Sequence, residues 1–189
     1  GLTEALLDRG AVVVAIERDE RMLEPLRRRF AGRDLVVVQA DALDANWAQL
    51  VAPWTRLGLR WIVVGNIPYY ITSPIVHHLF ASSELPEAAF LVMQREVAER
   101  LAARPGGREY GYLSAFTQFY ARSEIVLRIP PGAFRPPPKV DSALVALRLP
   151  GERARLEVRD EAGFVDFLKL CFSQKRKTLR NNLRSITAN

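Results

Sequence analysis

Trp61-Ile62-Val63-Val64-Gly65-Asn66-Ile67-Pro68-Tyr69-Tyr70 joins an apolar run to a polar turn. Its apolar half reads as a strand buried on both faces, the pattern of a parallel sheet covered by helices. Its second half breaks the strand with an amide and a proline, and Ser73-Pro74 then opens a helix. The polar turn therefore lies at the carboxyl end of a strand, where open α/β sheets bind their ligands. There the Asn66 side-chain oxygen can accept a hydrogen bond, the Pro68 carbonyl can accept a second, and Tyr69 offers a flat face to a purine. That set suits an exocyclic base amine. Asn-x-Pro also marks an ordinary strand-to-turn exit, and the motif alone does not choose between the two.

Val12 to Glu17, Leu35 to Asp41 and Ala89 to Met93 read as further buried strands. Asp19 to Ala31, Ser73 to Ser82 and Glu96 to Ala103 read as the helices between them, with Asp19 able to cap the first. Leu113 to Ala121 reads as a helix. Glu124 to Ile129 and Ser142 to Leu149 read as strands flanking the proline-rich loop Pro130 to Lys139. Alternating strands and helices predict a doubly wound α/β sheet. Trp47 and Trp54 fall in a segment with no clear pattern and are assigned to packing.

Two more strands end in polar residues. Glu17 can accept both hydroxyls of a ribose, the arrangement dinucleotide enzymes use, or stand as a surface carboxylate. Asp41 can accept from an adenine amine while the Ala42 N–H donates to a ring nitrogen, or it can cap the following turn. Glu17, Asp41 and Asn66 together put polar groups on one edge of an otherwise apolar sheet, which is an uncommon accident.

The 189 residues, 49% of them hydrophobic, suffice for one full core and the start of a second domain. Lysine and arginine outnumber aspartate and glutamate by 27 to 21, and the excess is concentrated. Leu170 to Asn189 carries five basic residues, Lys175, Arg176, Lys177, Arg180 and Arg184, and no acidic one. Such a stripe is an electrostatic footprint for a phosphate backbone or a solvated helix face. A single cysteine, Cys171, excludes an intrachain disulfide and a cysteine-rich metal site. His77 and His78 are adjacent and point to different helix faces, so no metal is expected. No apolar run approaches bilayer length and no signal-peptide pattern is present, so a cytoplasmic setting is expected.

Composition changes after Pro150. Gly151 to Arg159 is charged and loop-like, and Glu161 to Leu183 reads as one basic helix. We divide the chain at residue 151 into 1–150 and 151–189. Both ends read as cut: a first strand with its glycine-rich turn is expected before Gly1, and the rest of a helical domain after Asn189.

Asn66-Ile67-Pro68-Tyr69 resembles the catalytic motif of the S-adenosylmethionine-dependent adenine-N6 methyltransferases of ribosomal RNA. Pro131-Gly132-Ala133-Phe134-Arg135-Pro136-Pro137-Pro138-Lys139-Val140-Asp141-Ser142 and Phe172-Ser173-Gln174-Lys175-Arg176-Lys177-Thr178-Leu179-Arg180-Asn181-Asn182-Leu183 narrow the resemblance. They are similar to the KsgA-like family, which dimethylates two adjacent adenosines near the 3′ end of small-subunit (16S) ribosomal RNA. The likeness spans the chain. It implies a Rossmann-like methyltransferase domain over 1–150 and the start of a small helical RNA-binding domain over 151–189. It also implies S-adenosylmethionine as methyl donor without a metal, and a monomer acting on 16S rRNA in an immature small ribosomal subunit.

By the same resemblance Glu17 would hold the cofactor ribose, Asp41 and Ala42 its adenine, and Asn66 would border cofactor and target. Gly1 would be the last residue of the glycine-rich loop. Phe134 would close on the target base opposite Tyr69, beside the catalytic Asn66 and Pro68. Arg135, Lys139, Lys175, Arg176, Lys177 and Arg180 would grip RNA. Two alternatives stand beside this reading: a large-subunit rRNA methyltransferase, which shares the Asn-Ile-Pro-Tyr motif, and a non-catalytic assembly factor using the basic surface.

Overall fold

The computed structural model describes residues 1–174 and 177–184, organised as two compact units. The first comprises residues 1–60 with 77–85. Helix α1 (Leu2–Leu7) leads into strand β1 (Val13–Glu17), helix α2 (Glu20–Arg29), strand β2 (Leu35–Gln39) and helix α3 (Trp47–Thr55). Asp19 caps α2 as the sequence predicts, its carboxylate accepting the Arg21 N–H at 3.0 Å. Glu20 in the first turn and Arg27, Arg28 and Arg29 in the last suit the helix dipole. The connection through α2 makes β1 and β2 parallel, in the register Val13↔Leu35 to Glu17↔Gln39. Both strands therefore end at one edge.

The second unit comprises residues 61–76 with 86–189. Strand β3 (Ile62–Asn66) and the first half of helix α4 (Thr72–Phe80), whose residues from 77 on count with the first unit, precede strand β4 (Ala88–Gln94), helix α5 (Arg95–Leu101) and helix α6 (Tyr112–Tyr120). Strands β5 (Arg122–Ile129) and β6 (Ser142–Arg148) follow, then short helix α7 (Arg153–Leu156), α8 (Glu161–Cys171) and α9 (Leu179–Asn182). The sheet order is β3-β4-β6-β5. β3 and β4 run parallel across the α4 crossover, whereas β5 and β6, joined by a loop with no α-helix, run antiparallel. Ala89, Leu91, Met93, Val145 and Leu147 bury the centre of this sheet.

Burial on both faces holds for β4 and β6 but not for every strand. Val36 of β2 is 41% exposed and Ile62 of β3 is 47% exposed. The reason is position: among the described residues β1 and β2 pair only with each other and β3 is an edge strand of its sheet, where a side chain has fewer cross-strand neighbours to cover it. The segment holding Trp47 and Trp54, assigned no element from sequence, is α3. Asn46 caps it by accepting the Gln49 N–H at 3.0 Å, and Trp47 is buried.

The single basic helix read over Glu161 to Leu183 is also corrected. α8 ends at Cys171 and α9 begins at Leu179 after the cap residue Thr178. Buried Asn182 reaches back and donates to the Cys171 carbonyl at 2.7 Å, closing the end of α8. Within Gly151 to Arg159, read as a loop, α7 forms one turn. α8 packs on α6 through Phe164 and Phe119, ring centroids 4.7 Å apart.

Candidate active site

β3 carries its ladder one residue past its end, with the Ile67 N–H donating to the Val92 carbonyl at 3.0 Å. Pro68 has no N–H to continue it, so the chain turns into a 3₁₀ turn over Tyr69–Ile71. A Cβ on Gly65 would stand 2.8 Å from Ile67 Cδ1, so glycine there lets Ile67 fold back against the strand. This local route leaves the Asn66 side chain exposed at the carboxyl end of β3, with no partner among the described residues. The Pro68 carbonyl accepts the Ile71 N–H at 3.0 Å, which occupies one of its two lone pairs and leaves the other.

Tyr69 is half-buried and fixed at both ends. Its carbonyl accepts from Thr72 Oγ1 at 3.2 Å, and its hydroxyl lies 2.7 Å from Ser142 Oγ. Facing it, the loop between β5 and β6 makes a second 3₁₀ turn, Pro131–Ala133, closed by the Phe134 N–H donating to the Pro131 carbonyl at 3.1 Å. A cavity of about 240 Å³ opens between these segments, lined by Asn66, Ile67, Pro68, Tyr69, Phe134, Pro136 and Pro138. The four residues assigned from sequence to the catalytic site thus share one cavity.

The residues lining the cavity carry two oxygen acceptors, the Asn66 side-chain oxygen and the Pro68 carbonyl, and two aromatic rings. Chemically, such a set could accept from an exocyclic amine and stack on a planar base. Arg135 and Lys139, on the same loop, are exposed and unpaired among the described residues. The loop's exit is anchored by Asp141, whose carboxylate accepts Arg95 Nη1 at 2.9 Å and whose carbonyl accepts the Arg95 N–H at 2.9 Å.

In the first unit, Glu17 and Asp41 lie at the common end of β1 and β2. Glu17 Oε1 accepts the Asp19 N–H at 2.7 Å, and Oε2 has no partner among the described residues. Asp41 does cap the turn that follows it: Oδ1 accepts the Leu43 N–H at 2.9 Å, while Oδ2 accepts Arg18 Nη1 at 3.2 Å. The Ala42 N–H is unpartnered among the described residues. Its carbonyl accepts Trp47 Nε1 at 2.9 Å. A half-committed carboxylate and a free amide N–H at one strand edge fit the ribose and purine edge of an adenosyl group.

His78 Nε2 lies 2.9 Å from the Ala45 carbonyl, and its ring meets Trp47 edge-on at 4.9 Å. A carbonyl only accepts, so Nε2 carries the proton. Gly1 is the N-cap residue of α1. Lys177 and Arg180 are exposed, whereas Lys175 and Arg176 lie outside the described residues. Among the described residues no cluster of His, Cys, Asp or Glu could hold a metal ion, and no helix is long and apolar enough to cross a membrane.

Sequence reasoning assigns no role to Ser142, Asp141 or Arg95, and gives Trp47 packing alone. Asn46 as a cap would have marked the helix that carries Trp47. No local pattern links Tyr69 to Ser142, which stand 73 positions apart.

The family model described as "Ribosomal RNA adenine dimethylase" matches residues 1–189. The ribosomal RNA small subunit methyltransferase A of Acidobacterium capsulatum is 45% identical over 185 residues, 97% of this chain and 64% of that protein. The Pseudomonas putida protein of the same name is 39% identical over 186 residues, 98% of this chain and 68% of that protein. The chain therefore spans about two thirds of the length of these relatives. Among solved structures, a dimethyladenosine transferase from Plasmodium falciparum superposes with a TM-score of 0.79 at 29% identity, over 96% of this chain and 62% of that one. The 23S rRNA methyltransferase ErmE superposes with a TM-score of 0.73 at 29% identity, over 96% of this chain and 70% of that one. Both the strand-end motif and the chain-long match lead to one statement: the chain belongs to the ribosomal RNA adenine dimethylase family, whose Rossmann-like methyltransferase fold it shares.

Proposed function

We propose that the chain is the catalytic part of an enzyme that transfers methyl groups from S-adenosylmethionine to the N6 amine of adenosine in small-subunit ribosomal RNA. The observation that carries this is the uncommitted Asn66 amide beside the half-free Pro68 carbonyl, in a cavity walled by Tyr69 and Phe134.

An adenine amine is a weak nucleophile because its lone pair is delocalised into the ring. Asn66 Oδ1 and the remaining lone pair of the Pro68 carbonyl would each accept one amine hydrogen, drawing nitrogen toward a tetrahedral shape. The same two acceptors stabilise the positive charge that develops on nitrogen as the new N–C bond forms. When bound, S-adenosylmethionine supplies an activated methyl group, its S–C bond breaking as the N–C bond forms. The chain's part is orientation, with the reacting atoms held about 3 to 3.5 Å apart in line. One amine proton then leaves to solvent.

To enter the cavity the base must leave its stack, at a cost of a few kcal/mol. Stacking on Tyr69 and Phe134 can return about 1 to 3 kcal/mol per base. Glu17, with Oε2 free, and the Ala42 N–H beside Asp41 are assigned to the ribose and adenine of the donor, and Gly1 to the same cofactor as the last residue of a glycine-rich loop. Residues 1–150 are assigned to catalysis and 151–189 to the start of a helical RNA-binding domain. Arg135, Lys139, Lys175, Arg176, Lys177 and Arg180 are assigned to phosphate contacts, which position RNA without reading its sequence.

The two superposed structures, equally identical to this chain, do not separate small-subunit from large-subunit RNA. The relatives at 39% and 45% identity carry small-subunit names, which supports small-subunit RNA as the substrate; two adjacent adenosines near the 3′ end of 16S rRNA in an immature subunit are the target that the resemblance implies. The enzyme would act as a monomer in the cytoplasm. Transfer of labelled methyl groups to small-subunit but not large-subunit RNA is the expected result. Labelling of large-subunit RNA alone would overturn the substrate assignment, and binding without labelling would overturn the catalytic one.

A further inference from the structure

The hydroxyl of Tyr69 and that of Ser142 lie 2.7 Å apart. Ser142 is 0% exposed and stands at the head of β6, opposite Gln94 of β4 on one side and Ile129 of β5 on the other. Ladders on both flanks hold its backbone, so its hydroxyl is a fixed reference point. Tyr69, by contrast, sits in a 3₁₀ turn outside the sheet, and its ring lines the cavity. The hydroxyl bond ties that ring to the sheet.

The neighbouring residue makes the complementary tie. Asp141 is bound twice to Arg95, through its carboxylate and its carbonyl, each at 2.9 Å. It ends the loop that carries Phe134. Two consecutive residues therefore fix the two walls of the cavity: Ser142 holds the Tyr69 wall and Asp141 holds the root of the Phe134 wall.

We propose that Ser142 is a positioning residue that, through the Tyr69 hydroxyl, sets the tilt of the base platform and so decides whether a second methyl group can be transferred to the same amine. The inference rests on reading the cavity as the methyl-transfer site. A base stacked on Tyr69 moves with that ring, and its amine moves relative to Asn66 Oδ1 and the Pro68 carbonyl. Misplacement by about 1 Å can cost about 10²-fold in rate. The first transfer tolerates some tilt, because two amine hydrogens can find two acceptors. The monomethylated amine has one hydrogen left and a methyl group to accommodate, so its orientation depends more heavily on the platform. In each transfer one N–C bond forms, one S–C bond breaks and one amine proton departs.

The test compares Tyr69→Phe, Ser142→Ala, the double variant and Ser142→Thr in the full-length protein. Nucleoside mass spectrometry gives the ratio of N6-monomethyl- to N6,N6-dimethyladenosine, and steady-state kinetics give kcat and KM for RNA. Each single variant is expected to lower kcat for the second transfer about fivefold, the scale of one neutral hydrogen bond, with monomethyladenosine accumulating and KM little changed. The double variant should be no worse than the more severe single, and Ser142→Thr, which keeps the hydroxyl, should restore the dimethyl product. Should Ser142→Ala fail to fold, Tyr69→Phe removes the same bond from a half-buried ring. Wild-type product ratios in both single variants, or losses that multiply in the double, would overturn the role of Ser142 alone. A wild-type protein that yields neither methylated nucleoside would overturn the reading of the site and this inference with it.

Discussion

Asn182 donates to the Cys171 carbonyl at 2.7 Å and so closes α8 from eleven residues downstream. The bond replaces the helical turn that the sequence pattern leads one to expect after Cys171. It also brings the segment carrying Lys177 and Arg180 back against the end of α8.

Replacing Asn182 with alanine deletes a buried donor that serves a helix end. The expected loss is about 1 kcal/mol of stability. Urea denaturation checks this: the midpoint should fall while the slope with denaturant stays constant.

The break between α8 and α9 is illegible in the sequence because Gln174 to Lys177 contains neither glycine nor proline and favours continued helix. A tertiary bond from Asn182 and the Thr178 cap decide it instead. Where the determinants are local, the sequence suffices. Asp19 reads as the α2 cap, and the apolar run ending at Asn66 reads as a strand that stops at Pro68. Burial is less legible, since the valines of β2 look the same whether a strand has one neighbour or two. At the candidate site, Asn66, Pro68 and Tyr69 are contiguous and read together. Phe134 joins them only through resemblance, and the cavity they share depends on the β5–β6 loop returning to β3's end. The Tyr69–Ser142 and Trp47–Ala42 bonds join positions whose meeting depends on packing.

The Arg95–Asp141 pair is half exposed on both sides, so it contributes at most about 1 kcal/mol to stability. Its effect should be on the loop that carries Phe134. Arg95→Gln is expected to leave the melting temperature nearly unchanged while lowering kcat/KM for RNA several-fold. Differential scanning calorimetry beside steady-state kinetics separates the two effects.

Trp47 Nε1 holds the Ala42 carbonyl at 2.9 Å, and the free Ala42 N–H is the neighbouring peptide's donor. Trp47→Phe keeps an aromatic ring but removes that hold. Calorimetric titration with S-adenosylmethionine should show affinity weakened about two- to tenfold, the range for one hydrogen bond. Affinity for RNA, measured by filter binding, should be unchanged.

Arg135, Lys177 and Arg180 are exposed cations. Changing all three to glutamine should flatten the dependence of log affinity on log salt, by about 0.7 for each phosphate of single-stranded RNA that is no longer neutralised. An unchanged slope would mean that these side chains are merely solvated.

In the proposed reaction Asn66 Oδ1 is one of the two acceptors that orient the target amine. Nucleosides from immature small-subunit RNA, incubated with S-adenosylmethionine and either the full-length protein or its Asn66→Ala variant, test this by mass spectrometry. The wild-type protein should yield N6,N6-dimethyladenosine. The variant should lose at least about 10²-fold in rate, the scale for removing one oriented polar group from a transition state, while binding RNA as tightly. Equal methylation by both proteins, or a parallel loss of RNA binding and methylation, would contradict the assignment.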